Sequence, residues 1–249
     1  SFLLVVALNR VLRQRGWYDC RVEPDLLQWL DLVALGTVCD VVSLTGVNRA
    51  LVKQGLKVMG ARRNAGLRAL ADMVHLNEKP AAHHAGFILG PRVNAGGRVG
   101  ESWLGAALLS TDDEGKAVEI AQRLDVYNQE RRSIEAACLQ SAIDIVGSNA
   151  NRNFAYAGSA EWHPGVIGIV AGRLRERFNR PACVVAYDGD QGKGSGRSVK
   201  GFDLGAAIVA ARQAGLVSAG GGHAMAAGFV IQRNNEQSFC SFMTERIGK

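Results

Sequence analysis

The chain has 249 residues, 47% of them hydrophobic and 21% charged, which excludes a disordered protein and allows two modest folded domains. Its five cysteines are scattered without a Cys-x-x-Cys pair, which excludes a disulfide framework or zinc ribbon and favours a reducing compartment, so we expect a cytoplasmic protein. The net charge is +6, and residues 151–249, with 12 Lys and Arg against 7 Asp and Glu, contribute +5 of it.

The first predicted elements are helices. The apolar run Phe2–Leu8 continues into an amphipathic segment; it is too short to span a membrane and lacks a signal-peptide leader, so no membrane association is expected. Because the chain starts with Ser1 inside this helix, we expect it to be a piece of a longer protein. A second helix is predicted to begin at Pro24 and Asp25 and to end near Gly36.

Three further segments follow in the first half. A single acid, Asp40, stands among apolar residues directly after the second helix. An amphipathic helix is predicted from Asn48 to Met59, because apolar residues recur there at helical spacing. Residues 90–98 contain three glycines and a proline, and they are predicted to form a loop that carries two arginines and an amide.

A long helix is predicted after the charged segment Thr111–Glu114, because apolar residues recur at helical spacing from Ala117 to Ile145. Such a helix is a natural connector between two domains. Beyond it, strands are predicted at 153–157, 182–187 and 228–232, and helices at 164–177, at 203–212 with Asp203 as cap, and at the end of the chain. This alternation predicts the α/β class with a mixed sheet.

Two glycine-rich segments are the most informative feature of the chain. Lys193–Ser198 and Gly220–Gly228 are both predicted to be bare loops, with Arg197 and His223 as their central polar side chains. Glycine costs stability, so its concentration indicates that a ligand approaches the backbone closely. Backbone N–H groups beside an arginine suit phosphate, and the basic second half favours a polyanion. The alternative is two tight turns beside small-residue packing.

Four parts of the chain, in this order and spacing, resemble the RecJ family of single-strand-specific exonucleases in the DHH phosphoesterase superfamily. They are LVALGTVCDVV at 32–42, GPRVNAGGR at 90–98, WHPGVIGIVA at 162–171, and the two glycine-rich segments. The resemblance covers nearly the whole chain. It implies that residues 1–85 are the C-terminal part of a DHH catalytic domain, residues 86–148 a connecting loop and long helix, and residues 149–249 a DHHA1 substrate-binding domain.

The resemblance also implies a catalytic centre with two divalent ions, Mn²⁺ or Mg²⁺. Of the family's ligands only the last matches a residue here, Asp40. A carboxylate suits either ion; the alternative is that Asp40 caps a turn. His83 and His84 look like the family's His-His pair, but Ala82 precedes them and they follow Asp40. We therefore expect His83 and His84 to be ordinary helix residues.

Other site residues are carried over by position. Arg92, Asn94 and Arg98 match the loop that borders the family's active cleft and are expected to act on the phosphoryl group, or else to form a charged surface turn. His163 is expected at a helix start, where phosphate binds well, and Trp162 either stacks on a base or staples the helix. The residues expected to bind the DNA strand are, besides His163, Ser195, Arg197, Ser198, Gly221, Gly222 and His223.

The implied function is hydrolysis of single-stranded DNA from its 5′ end, in DNA repair and recombination, with a single-strand-binding protein and a helicase as partners. With one metal ligand, the chain alone is expected to be inactive. Two alternatives stay open. One is a DHH/DHHA1 phosphodiesterase that acts on short oligonucleotides or cyclic dinucleotides. The other is a nucleic-acid-binding module without catalysis.

Overall fold

The computed structural model describes residues 1–148 and 153–248, and the chain divides into two compact units, residues 1–128 and 129–249. The first unit is built from helices. They are α1 Phe2–Gln14, α2 Leu30–Cys39, α3 Gly46–Gly60, α4 Ala65–Met73, α5 Gly90–Val93, α6 Gly96–Val99 and α7 Leu104–Ser110, with a 3-10 helix at Leu26–Trp29 and a π-helix at His84–Leu89. Helix α8, Glu114–Gly147, contains the division between the units.

The core of the first unit joins α2, α4, α7 and the first half of α8. Its fully buried members include Leu70, Leu104 and Leu124. Helices α2 and α3 pack with backbones close together at Gly55, where an added Cβ would run into the carbonyl oxygen of Leu30. Only glycine permits this approach.

The second unit is an α/β domain with one five-stranded sheet. Its elements are β1 Ala155–Ser159, α9 Ile167–Phe178, β2 Ala182–Asp188, β3 Gln191–Arg197, α10 Leu204–Gln213, β4 Ala219–His223, β5 Ala226–Gln232 and α11 Glu236–Ile247. The strand order is β1-β2-β3-β5-β4. β1 and β2 are parallel and every other pair is antiparallel, so the sheet is mixed as predicted.

The two faces of this sheet are covered differently. On one face, α9 and the end of α8 pack against alternate residues of β1 and β2, among them Ala157 and Val184. On the other face, α10 and α11 pack against Val185 and Phe229. Phe239 of α11 is fully buried there and its ring lies 5.0 Å from that of Phe229, centroid to centroid. The second unit therefore has a core on each side of the sheet.

The α/β class and the long helix are confirmed, and so is the cap at Asp203, whose carboxylate accepts a hydrogen bond from the backbone N–H of Ala206 at 2.9 Å. Among the described residues, none of the five cysteines forms a disulfide. Within the described ranges, no helix combines the length and apolar character needed to span a membrane.

Three predicted loops are wrong. The glycine-rich segments form strands β3 and β4 together with the start of β5, because Gly194 and Gly220 leave space in the sheet for the side chain of Phe229. The segment 90–98 forms α5 and α6, since Pro91 sits in the first turn of α5, where proline is compatible with a helix. Several boundaries also differ: α2 runs from Leu30 to Cys39 after a 3-10 helix, β1 is shifted by two residues, β5 is extended by two, and α9 begins at Ile167 because residues 164–166 form a turn.

Candidate nucleic-acid interface

Part of one sheet face lies open to solvent. Helix α9 packs on β1, β2 and β3. The alternation of β3 places Lys193, Ser195 and Arg197 on the same face as α9, and the register sets residues of β5 and β4 beside them. Nine residues form three rows across β3, β5 and β4: Arg197–Ala226–His223, Ser195–Gly228–Gly221 and Lys193–Val230–Ala219. We call these nine residues the open face.

The middle row of the open face is nearly free of side chains. Ser195, Gly228 and Gly221 form a floor, and the two outer rows form rims on either side of it. Lys193 and Arg197 stand on opposite rims, four residues apart along β3, which separates their Cα atoms by about 13 Å. The result is a shallow trench with one strongly basic residue on each rim and no large side chain between them.

The glycines of this sheet fall into two groups. Gly194 points to the opposite, buried face, where an added Cβ would collide with the ring of Phe229. On the floor, by contrast, an added Cβ at Gly221 would meet nothing within 4 Å, and one at Gly228 would meet only the carbonyl oxygen of Gly194, at 3.9 Å. Packing therefore requires glycine at position 194, whereas no packing contact requires glycine at 221 or 228.

Arg197 is held in place by its own strand. Its Nη1 donates to the hydroxyl of Ser195 at 3.2 Å and to the carbonyl oxygen of Gly196 at 2.9 Å. Burial, and then the neighbouring charge of Arg175 on α9, lower the pKa of the half-buried Arg197 guanidinium, which stays protonated all the same. Among the described residues no carboxylate pairs with Arg197. A fixed guanidinium without a carboxylate partner suits an anion.

Helix α9 closes one end of the trench. Gly168, Gly172 and Arg175 lie along one side of α9, at positions i, i+4 and i+7. An added Cβ at Gly168 would lie 3.1 Å from Oγ of Ser195 and 3.2 Å from Nη2 of Arg197. Glycine at this position therefore lets the helix approach the two polar groups at the end of the floor.

A pair of glycine substitutions tests this approach. Gly172→Ala meets nothing within 4 Å and is expected to stabilise the domain by up to about 1 kcal/mol, because alanine is the better helix former. Gly168→Ala gains the same propensity but must displace the side-chain ends of Ser195 and Arg197 by a few tenths of an ångström, so its stabilisation should be smaller than that of Gly172→Ala. Urea unfolding of both variants measures the difference. Equal stabilisation by both would contradict the close approach at Gly168.

Four of the seven residues predicted to bind the DNA strand lie on the open face: Ser195, Arg197, Gly221 and His223. Ser198, Gly222 and His163 do not. Ser198 is 1% exposed, and its hydroxyl donates to the carbonyl oxygen of Phe202 at 2.8 Å. Gly222 faces the other way, where an added Cβ would collide with the carbonyl oxygen of Ala226. Ser198 thus fastens the loop that follows β3, and glycine at 222 lets β4 approach the backbone of Ala226.

The segment before α9 differs from its predicted role. His163 is exposed and stands four residues before the first residue of α9, and its Nδ1 accepts the backbone N–H of Gly165 at 3.0 Å. Trp162 is only 7% exposed and packs in the core under α9. Of the two alternatives for Trp162, the geometry therefore favours packing over base stacking.

Asp40 lies in the first unit, at the end of α2. Its side chain is exposed, and its backbone N–H donates to the carbonyl oxygen of Gly36 at 3.0 Å. The next residue, Val41, has φ +54° and is 88% exposed. A β-branched residue with positive φ is strained, and strain of this kind concentrates at functional sites. Asp40 suits a divalent cation by its chemistry, but it offers a single ligand group.

The segment 90–98, which carries Arg92 and Arg98, is mostly helical. Arg92 is half-buried: its Nε donates to Oδ1 of Asp125 at 2.7 Å, and its Nη1 donates to the carbonyl oxygen of Ile88 at 2.8 Å. The first bond ties α5 to α8, and the second ties α5 to the preceding π-helix. Asn94 and Arg98 are exposed, at the end of α5 and within α6. The structure thus gives Arg92 a bracing role and leaves the side chains of Asn94 and Arg98 at the surface.

A second group of ligand-type side chains lies in the first unit. Atoms of Glu78, His83 and His84 come within 4.8 Å of one another. Nδ1 of the buried His84 accepts the backbone N–H of Ala81 at 3.0 Å, so in the neutral ring the proton lies on Nε2, which is 3.0 Å from Glu78. A metal on Nε2 would force that proton onto Nδ1, against an N–H donor. The geometry favours a His–Glu hydrogen bond over a metal site.

Sequence reasoning missed several residues of this surface. The predicted binding residues did not include Gly228 of the floor, Lys193 of the rim, or Gly168 and Arg175 of α9. One signal was available: glycines at 192, 194 and 196 alternate with polar residues, and alternation with period two is typical of a strand. The contacts made by α9 had no such signal, because they depend on tertiary packing.

Comparisons with known proteins agree with this architecture. Residues 151–249 match the DHHA1 domain family. The single-stranded-DNA-specific exonuclease RecJ of Escherichia coli (strain K12) is 40% identical over 261 residues, covering 98% of this chain and 45% of that protein.

Solved structures give the same result. The crystal structure of RecJ in complex with Mg²⁺ from Thermus thermophilus superposes with a TM-score of 0.83 at 34% identity, covering 94% of this chain and 36% of that one. The Mn²⁺ complex from the same organism gives 0.82 at 33% identity, covering 94% and 34%. The chain spans less than half the length of these three relatives. Over nearly its whole length, the chain is therefore homologous to part of the RecJ exonucleases, and residues 151–249 form a DHHA1 domain.

Proposed function

We propose that this chain holds single-stranded DNA on the open face, as part of a nuclease that hydrolyses the strand from its 5′ end. The observation that carries the proposal is the trench itself: a floor without large side chains between rims that carry Lys193 and Arg197. A flexible polyanion without a second strand can lie in so shallow a trench. The DNA-specific names of the relatives support the same substrate.

Phosphates are bound at the rims. Arg197 and Lys193 supply fixed positive charge, and the exposed His223 adds a ring nitrogen on the rim of Arg197. Contacts to phosphates position a strand without reading its sequence, which suits an enzyme that degrades any strand. Association through phosphates weakens as salt rises, because bound counterions are released from the DNA.

Asp40 is our candidate for the metal-binding residue. Its exposed carboxylate and the strained Val41 beside it support this role, as do relatives solved with Mg²⁺ and with Mn²⁺. Two such ions, when bound in the complete enzyme, would activate water and stabilise the leaving oxygen. Asn94 and Arg98, exposed on neighbouring helices of the same unit, are candidates for contacts to the phosphoryl group.

The wider setting is also proposed. Residues 1–85 would belong to the catalytic DHH domain, 86–148 to the connecting segment, and 149–249 to the substrate-binding domain. The complete protein would act in the cytoplasm, in DNA repair and recombination, together with a single-strand-binding protein and a helicase.

Binding and hydrolysis by the 249-residue chain test the proposal. Fluorescence anisotropy should show binding to an oligo-dT of about 20 residues, weaker binding to a duplex of equal length, and a loss of affinity with rising salt. With Mn²⁺ present, we expect no release of nucleotides, because one carboxylate cannot hold two ions. Failure to bind any single strand would refute the proposal, and tight binding of a cyclic dinucleotide instead would favour the small-substrate phosphodiesterase.

The role of Asp40 requires a longer chain that supplies the rest of the relatives' length. In that protein, Asp40→Ala should reduce hydrolysis of labelled oligo-dT by a factor of about 100 or more, on the order expected for loss of a catalytic electrostatic contact, while binding stays within about twofold. Asp112→Ala, which removes another exposed acid of the first unit, is the control and should keep full activity. Normal turnover by the Asp40 variant would leave Asp40 a structural acid.

A further inference from the structure

The floor and the rims of the trench differ in charge. Gly228 lies on β5, which has a strand on each side, so its backbone N–H and C=O groups are engaged in the sheet. Ser195, the one floor residue with a polar side chain, already accepts a hydrogen bond from Arg197. Arg197 reaches the floor only at its Ser195 end, so a phosphate above Gly228 and Gly221 would find neither a charged side chain beneath it nor a free N–H of Gly228. The positive charges stand on the rims.

No packing contact accounts for glycine at positions 221 and 228 of the floor. Alanine would fit at Gly221 and at Gly228 without a clash, and neither residue has a positive φ. Glycine in the interior of a strand is the weaker choice for stability, and it often marks a position where a ligand approaches the backbone. Within the part of the chain that the structure describes, nothing lies close above these two residues, so the space is available to a ligand.

The shape of the floor determines which part of the single-stranded DNA fits on it. Adjacent strands lie about 4.8 Å apart, so the floor extends roughly 10 Å from Ser195 across Gly228 to Gly221. At Gly228 and Gly221 it carries no side chain and no charge, and α9 and the guanidinium of Arg197 close it at the Ser195 end. A nucleobase is flat and likewise uncharged, whereas the phosphates that flank it carry the charges that match Arg197 and Lys193.

From this we infer that the floor seats a nucleobase flat against the peptide planes of Gly228 and Gly221, with the adjoining phosphates at the two rims. The inference rests on the proposed function and adds which part of the strand lies on the sheet. Every base has a flat face, so such a seat accepts all four bases. Gly221 and Gly228 then act as binding residues because a Cβ at either position would lift the base off the sheet.

Two probes of equal length and charge separate base from backbone contacts. One is an oligo-dT of about 12 residues, and the other is a strand of equal length built from abasic tetrahydrofuran units. The wild-type chain should bind oligo-dT at least about fivefold more tightly than the abasic strand, because the abasic strand has no base to stack on the floor. Gly228→Ala, and more so Gly221→Ala/Gly228→Ala, should weaken binding of oligo-dT and leave the abasic strand unchanged, which brings the ratio towards one.

Gly147→Ala is the matched control, because Gly147 on α8 is equally open and lies outside the trench. It should keep the wild-type ratio. Equal wild-type affinity for the two probes would overturn the inference and leave the proposed function standing, as would a parallel loss of both affinities in the floor variants. Binding of neither probe would refute the proposed function as well. The wild-type ratio needs no variant, so a floor variant that fails to fold does not decide the outcome.

Discussion

Replacing Arg197 with alanine is expected to weaken binding of single-stranded DNA roughly 10- to 100-fold at low salt, because a charge-assisted contact to phosphate contributes about 1.5–3 kcal/mol. The loss should be equal for oligo-dT and for a mixed sequence, since phosphates carry no sequence information. The slope of log affinity against log salt should fall by about 0.7. Anisotropy titrations across a salt series measure both quantities.

Arg246→Ala is the control for this experiment. Arg246 lies on α11, which packs on the opposite face of the sheet, so its removal changes the net charge by the same amount away from the trench. The affinity of the Arg246→Ala variant for single-stranded DNA, and its salt slope, should remain close to those of wild type. His223→Ala should have a smaller effect than Arg197→Ala, because a guanidinium offers a charged fork of several N–H donors to a phosphate, whereas an imidazole has only two ring nitrogens. If Arg197→Ala and Arg246→Ala behave alike, only the overall charge matters and the trench is not the interface.

Replacing Gly55 with alanine is expected to destabilise the first unit by at least about 2 kcal/mol. The added Cβ would run into the carbonyl oxygen of Leu30 and crowd Ala34, so the backbones of α2 and α3 must move apart. A backbone cannot rotate away as a long side chain can. Urea unfolding monitored by circular dichroism gives the change in the free energy of unfolding.

Gly36→Ala is its matched control, because Gly36 lies on α2 and an added Cβ there would meet nothing within 4 Å. This variant should be stabilised by up to about 1 kcal/mol through helix propensity alone. A stabilised Gly55→Ala would show that the two helices can separate at little cost, contrary to the packing described above.

Much of the fold follows from local sequence rules. The long helix was predictable because the charged segment before it and the apolar spacing along it agree with each other, and the cap at Asp203 was predictable from its side chain alone. Strand β2 was equally clear, since Val184 and Val185 are β-branched and flanked by apolar residues. In such segments, local preference and tertiary structure point the same way.

The glycine-rich segments were singled out correctly as unusual, but their conformation was predicted wrongly. Glycine disfavours strands, so Lys193–Ser198 was expected to be a loop. Tertiary packing overrides that preference, because the ring of Phe229 needs the space that Gly194 leaves. Which glycines face a core and which face solvent depends on the pairing of β3 with β5, and strand pairing cannot be deduced from one sequence.

The alternation of β3 also fixes how the strand can pair. Its two sides are chemically opposite: glycines lie against a core, and Lys193 and Arg197 lie on the other face. A slip of one residue in register would exchange the two sides and push both cations against Phe229 and Leu204. Burial of unpaired charge makes such a slipped state very unfavourable. Lys193 and Arg197, which are proposed to bind DNA, thus also protect the sheet against misregistration. Neutralising them would weaken the register of β3 as well as the binding of DNA.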